Sequence, residues 1–217
     1  MPDVVLLNVG VFTYLETEAQ FLRMLATPKL ILASASPRRQ ELLREAGIDF
    51  EVHPAHIPEV RKPQEGPSDY ALRLAQEKAL KIAELFPQAW VLGADTIVVV
   101  DEQVLEKPQD HADAARMLRM LSGRPHQVTT AVSLIAPPMR IDTRACTTQV
   151  YFRQLEEKEI QEYIAGREPM DKAGAYAIQG GAARWVIRLE GDYSNVVGLP
   201  LPLVTGMLRA SGFLHRS

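Results

Sequence analysis

Trp90–Val100, WVLGADTIVVV, constrains this chain more than any other stretch. Its nearly unbroken run of apolar, valine-rich residues reads as a buried strand. A turn around Asp101–Gln103 and a short return strand complete the unit. One carboxylate, Asp95, interrupts the run between Val91-Leu92 and Ile97-Val98. A charge there is costly unless it is paired, metal-bound or at an exposed strand end. Polar residues at strand ends beside a glycine are typical of α/β active sites, and Gly93 precedes Asp95. The plain alternative is a carboxylate that merely satisfies a turn.

Around this strand the patterns alternate. The apolar run Leu30–Leu32 leads through ASASPRR into a helix, with Ser36 as its N-cap, Pro37 at its first position and Gly47 as its stop. DFEVHPAHIPEV is a short strand running into a loop, and Ser68 caps a helix that Pro87 ends. Asp110 caps HADAARMLRML, which Gly123 closes. HQVTTAVSLI, RACTTQVYF and RWVIRLEG read as strands, LEEKEIQEYIAG as a helix, PMDKAGAYAIQGG as irregular, and LPLVTGMLRAS holds the last helix. Interleaved strands and helices with antiparallel pairs predict an α/β fold with a mixed sheet and flanking helices.

The chain has 217 residues, long enough for one well-buried domain, and nothing in it marks a linker. Residues 29–217 are expected to form a single domain, with 1–28 either an N-terminal extension or sequence upstream of a start at Met24. The net charge of −3 offers no global field for nucleic acid. Cys146 is the single cysteine, which excludes a disulfide framework; it is expected to pack in its strand rather than act as a nucleophile, and a reducing cytoplasm is the simplest setting. No run approaches the ~18 apolar residues of a membrane helix, so no membrane partner is expected. The Walker, dinucleotide-binding, zincin and nucleophile-elbow motifs are absent, and His53 and His56 read as loop histidines rather than a metal pair.

ASASPRR is the first positive signal. Small residues let backbone approach a ligand, a helix start offers free N–H groups, and Arg38 and Arg39 add bidentate donors suited to phosphate. Cations at that helix end are otherwise disfavoured by about 0.3–1 kcal/mol, so a bound anion would turn a penalty into attraction. The bland reading is a capped helix with solvated arginines. Lys78 is the second signal, because it falls inside the apolar stripe of Ala71, Leu74, Ala75, Ala79, Ile82, Ala83 and Phe86. It either snorkels past the core or points into a cleft at an anion; Arg73, Lys81 and Glu84 lie off the stripe as ordinary surface. Lys107 on the return strand could face the same cleft as Asp95, and Glu59 is a weaker candidate. A phosphate cradle of Ser34, Ser36, Arg38 and Arg39, two lysines and one or two carboxylates suit metal-assisted attack on a polyphosphate.

The ordered series LILASASPRRQELL, LGADTIVVV, VLEKP, LSGRPHQVTTAV, DKAGAYAIQG and NVVGLPL resembles the Maf family of nucleotide pyrophosphatases over about residues 29–209. The resemblance implies an inosine-triphosphate-pyrophosphatase-like fold with an elongated mixed sheet and a cleft between two lobes. It implies cleavage of a nucleoside triphosphate to monophosphate and pyrophosphate with a divalent cation, magnesium or manganese. Asp95 takes the proton acceptor's place, and Ser34, Arg39, Glu59, Lys78 and Lys107 take conserved cleft positions, Glu59 and Asp95 being the candidate metal ligands. Arg38, Thr96 and Gln179 match positions linked to base selection, Arg39 the phosphate ligand. SPRR with DKAGAYAIQG is similar to the branch acting on dTTP, UTP and modified pyrimidine triphosphates; Ala177 and the residues after Gly180 depart slightly from its commonest pattern. Family members often form homodimers. Whether Asp95 is base, metal ligand or both stays open. The competing readings are a 7-methyl-GTP pyrophosphatase and a low-turnover nucleotide-binding regulator of septum formation.

Overall fold

The computed structural model describes residues 29–166 and 168–214. The expectation for residues 1–28 lies outside them. Seven strands form one sheet: β1 (Leu30–Leu32), β2 (Glu51–Val52), β3 (Trp90–Val100), β4 (Gln103–Leu105), β5 (Pro125–Ala136), β6 (Arg140–Phe152) and β7 (Val186–Glu190). Their order is β2-β1-β3-β5-β6-β7, with β4 also paired to β3. β1 runs parallel to β2 and β3; every other pairing is antiparallel, so the sheet is mixed as expected.

The helices are α1 (Pro37–Glu45), α2 (Pro67–Ala83), α3 (His111–Leu121), α4 (Glu157–Ile164), α5 (Tyr193–Val197) and α6 (Leu201–Ala210). α2 covers one face of β3, its Tyr70, Ala71, Leu74 and Ala75 packing with Ile97 and Val99. α1, α3, α4 and α6 cover the other, where Leu43, Leu118, Ile160 and Leu208 share a core with Ala94, Val98 and Val100. Alternation along the strand therefore sends Asp95 and Thr96 to opposite faces.

One local expectation is corrected, at the start of α2, and two are refined. Ser36 stands at the N-cap of α1 but makes no side-chain cap bond; the first-turn amides stay open on the cleft side. α2 starts two residues earlier than the Ser68 cap implies, with Gly66 as N-cap and Pro67 in the first turn, and it ends at Ala83; proline suits that position because it has no N–H to leave unpaired. The segment around PMDKAGAYAIQGG is irregular as read, but holds short 3₁₀ turns at Glu168–Asp171, Ala173–Ala175 and Gly181–Trp185.

β3 is what positions the site. β1 pairs with it only over residues 90–92, and β4 pairs on that side only over 98–100. Between them, residues 93–97 have β5 on one side and no strand on the other. Asp95 and Thr96 sit in this gap.

Candidate active site

A cleft of about 580 Å³ opens at the gap. All ten residues singled out from the sequence line it: Ser34, Ser36, Arg38, Arg39, Glu59, Lys78, Asp95, Thr96, Lys107 and Gln179. They come from six separate parts of the chain, and the break in strand pairing gathers them.

On the α2 face, Lys78 does not snorkel. Its side chain is 9% exposed, and its Nζ lies 2.7 Å from Asp95 Oδ1 and 2.6 Å from Glu59 Oε1. Gly93 makes this reach possible: a Cβ there would stand 2.3 Å from the Ala75 carbonyl and 2.9 Å from the Ala79 methyl. Lacking one, β3 lets the α2 backbone come close enough for a lysine to bridge to a strand carboxylate two residues on. Lys107, largely exposed, approaches Glu59 Oε2 at 3.9 Å. Burial works to raise the Glu59 carboxyl, but the hydrogen bond and charge of Lys78, with Lys107 and Arg39 behind them, hold it below the ordinary carboxylate value.

On the opposite face Arg39 is held by four acceptors. Nε donates to Gly198 O (2.8 Å), Nη1 to Ser34 Oγ (3.0 Å) and Ala94 O (2.9 Å), and Nη2 to Thr96 Oγ1 (3.0 Å). Ala94 O is a carbonyl of the gap, so Arg39 satisfies a group that a neighbouring strand would otherwise take. The free bidentate fork expected of Arg39 is therefore corrected. With five N–H donors in all, one remains for a ligand, and the residue contributes mainly charge. Desolvation lowers its pKa while Asp95 opposes that. Thr96 is likewise committed: its hydroxyl contacts Thr130 Oγ1 at 2.9 Å, and Thr130 donates to Asn195 O at 2.9 Å. Arg38 is less engaged, facing Asp171 at 3.9 Å, and Gln179 stands exposed at the rim.

Several residues that shape the site carry no signal of their own in sequence. Asn195 is wholly buried; it accepts from Thr130 N and donates to Val128 O and Thr148 Oγ1. It thereby fastens α5, and with it Gly198, to the sheet. Tyr70, buried at the start of α2, reaches both Glu59 O (3.1 Å) and Glu106 Oε1 (3.0 Å) with its hydroxyl. Arg73, read as ordinary surface, donates to Val60 O and to the Glu65 carboxylate, and Lys81 donates to His56 O. These three α2 residues hold the loop that carries Glu59. Cys146 is half-buried in β6, and burial pushes its thiol up, away from the reactive thiolate.

The donor set bears on the expected cation. Among the described residues, no three His, Cys, Asp or Glu side chains gather as a metal set. Glu59 and Asp95 converge, but on the Lys78 ammonium. Two hard carboxylates are the protein share typical of a magnesium site completed by substrate phosphates and water, so the residues fit a cation that arrives with its substrate.

A polar cleft at a gap in a mixed α/β sheet, with an anion-seeking arginine face and a lysine–carboxylate face, is the site of an enzyme that handles phosphorylated ligands. The chain belongs to the family of Maf-like proteins, whose model matches residues 29–211. It is 57% identical to the dTTP/UTP pyrophosphatase of Koribacter versatilis, over 85% of this chain and 95% of that protein. The dTTP/UTP pyrophosphatases of Geobacter metallireducens and Vibrio cholerae are 51% and 52% identical, over 86% and 80% of this chain and 97% and 92% of theirs. Among solved structures, the Staphylococcus aureus Ham1 protein aligns at 14% identity with a TM-score of 0.47, over 84% of this chain and 98% of that one.

Proposed function

We propose that this chain hydrolyses dTTP, UTP and modified pyrimidine triphosphates to the monophosphate and pyrophosphate, cleansing the nucleotide pool. One observation carries the assignment of roles: Asp95 and Thr96 are neighbours on one strand, yet face a lysine–carboxylate pair and an arginine cradle across a single cleft. A triphosphate lying across the gap meets both. Its phosphates face the open first-turn amides of α1, the spare Arg39 donor, Ser34 and Ser36, with Lys107 at the mouth. Asp95 accepts the proton of the attacking water as its oxygen bonds to phosphorus and the α–β bridging oxygen leaves with pyrophosphate. Lys78 balances the Asp95 charge and fixes its rotamer. Asp95 and Glu59 would hold a divalent cation, magnesium or manganese, which would supply neutralisation of the charge developing on the phosphate oxygens. Arg38, Thr96 and Gln179 form the base side. Gln179 supplies both a donor and an acceptor for a pyrimidine edge, and Thr96 acts through Arg39 because its hydroxyl is already paired.

The setting proposed with this activity is cytoplasmic, with no nucleic-acid or membrane partner; among the described residues no helix is long and apolar enough to cross a membrane. A homodimer is the proposed assembly, checked by light scattering.

Pyrophosphate release from a triphosphate panel with magnesium or manganese tests the reading. Release from dTTP and UTP should exceed that from 7-methyl-GTP, and Asp95→Asn should reduce it by roughly 10²–10⁴-fold with the melting temperature kept. Preferred release from 7-methyl-GTP would move the chain to the other branch. Binding of dTTP with no release under either cation would leave a nucleotide-binding regulator.

A further inference from the structure

Gln179 lies at the tip of a turn closed by Gly180 N donating to Ala177 O at 3.1 Å. The amides on either side of that tip are tied to two side chains that do not line the cleft. Ala177 N donates to the Tyr163 hydroxyl oxygen at 3.1 Å. That hydroxyl donates to Glu168 Oε1 at 2.9 Å. Gly181 N donates to the same carboxylate at 3.2 Å. The result is a closed ring of bonds, amide to phenol to carboxylate to amide, that spans the turn carrying Gln179.

The surroundings are built for this ring. Tyr163 is buried on α4 and packs edge-on against Trp185, with ring centroids 4.8 Å apart. Gly180 leaves the carboxylate its place: a Cβ there would stand 1.9 Å from Glu168 Oε1, and the Glu168 side chain would have to swing away from the turn. The carbonyl of Glu168 accepts from Lys172 Nζ, which also pairs with Asp171, and Asp171 faces Arg38. One short segment thus connects Gln179 with Arg38, the two freely presented residues on the base side.

We infer that Tyr163 and Glu168 are positioning residues for base selection, setting where Gln179 stands relative to Arg38 without touching substrate. The inference rests on the reading of Gln179 as a base-facing residue. A hydrogen-bonding amide discriminates only if its donor and acceptor meet their partners squarely, so loosening the turn costs selectivity before it costs chemistry.

The test is steady-state kinetics of the full chain on dTTP, UTP and CTP, with melting temperatures measured alongside. Tyr163→Phe, which keeps the ring and removes the hydroxyl, should lower the kcat/KM preference for dTTP over CTP by about tenfold, with kcat on dTTP within about threefold of the parent. Glu168→Ala should do the same, and Glu168→Gln, which retains an acceptor oxygen, should restore most of the preference. Equal losses on all three substrates, tracking a lower melting temperature, would overturn the inference in favour of a purely structural role. An unchanged preference in both variants, when Gln179→Ala lowers it, would overturn the inference and leave Gln179 as the base reader. If Gln179→Ala itself changes nothing, the base-side reading falls and the inference falls with it.

Discussion

The two faces of β3 at the gap hold positive charge in opposite ways. Arg39 is surrounded by neutral acceptors, two carbonyls and two hydroxyls, which fix its position and leave its charge uncancelled. Lys78 is buried between two carboxylates, which cancel its charge and more. In a cleft of reduced dielectric the first arrangement attracts an anion and the second does not. The second keeps a carboxylate poised: one lysine–carboxylate bond released yields an acceptor for a proton or a cation. On the proposed assignment of roles, binding and chemistry are separated by the thickness of a single strand.

The comparison can be broken most severely at Lys78. Lys78→Met leaves Asp95 and Glu59 together without their counter-charge, and should cost about 3–5 kcal/mol in denaturant unfolding at neutral pH. An unchanged midpoint would mean that the two faces do not differ as described. The Arg39 face contains a second neutral device, His126, buried beside Tyr176 with Nε2 2.8 Å from the phenol oxygen. Burial lowers its pKa to about 4 from 6.5, against the weaker opposing pull of the Arg124 backbone as acceptor. The folded state therefore refuses a proton that the unfolded state accepts, so stability should fall as pH drops from about 6.5 to about 4, by about 3 kcal/mol in total. Unfolding of His126→Gln across that window should show a correspondingly shallower pH slope; identical slopes would remove the effect. Thr130→Val tests the neutral network itself. It removes the link from Thr96 to Asn195 and should cost about 1–3 kcal/mol while raising KM for dTTP more than it lowers kcat. Smallest of all should be Lys107→Ala on stability, within about 1 kcal/mol, because that side chain is 62% exposed and its ammonium 3.9 Å from its partner. A larger loss would make Lys107 part of the lysine–carboxylate face rather than a contact at its mouth.

Much of this was legible before the structure. The run around Asp95 demanded a buried strand with a place for its charge, and ASASPRR demanded a turn and a helix start; both stand as read. Lys78 inside an apolar stripe posed a question whose answer depended on a partner far along the chain. The sequence reads Arg39 as a bidentate donor open to a ligand, because hydrogen-bond partners such as Gly198, 159 residues distant, carry no local mark in sequence. Asn195, Thr130, Tyr163 and Glu168 carry no signal for the same reason, since a buried asparagine or a helical tyrosine reads as packing until its neighbours are known.

By itself, then, the sequence determined which segments become strand and helix, because apolar period and turn chemistry act over a few residues. It also determined the inventory of charged groups available to one site. Tertiary structure alone decided how each charge is held, because that depends on where pairing stops. β1 ends at Leu32 and β4 resumes only at Val98, and the five-residue gap turns neighbouring Asp95 and Thr96 toward one cleft from opposite sides of the sheet. No local pattern encodes the end of a pairing between strands some sixty residues apart; it is set by the packing of helices whose fit, at Gly93 and Ala75, is known only once they meet.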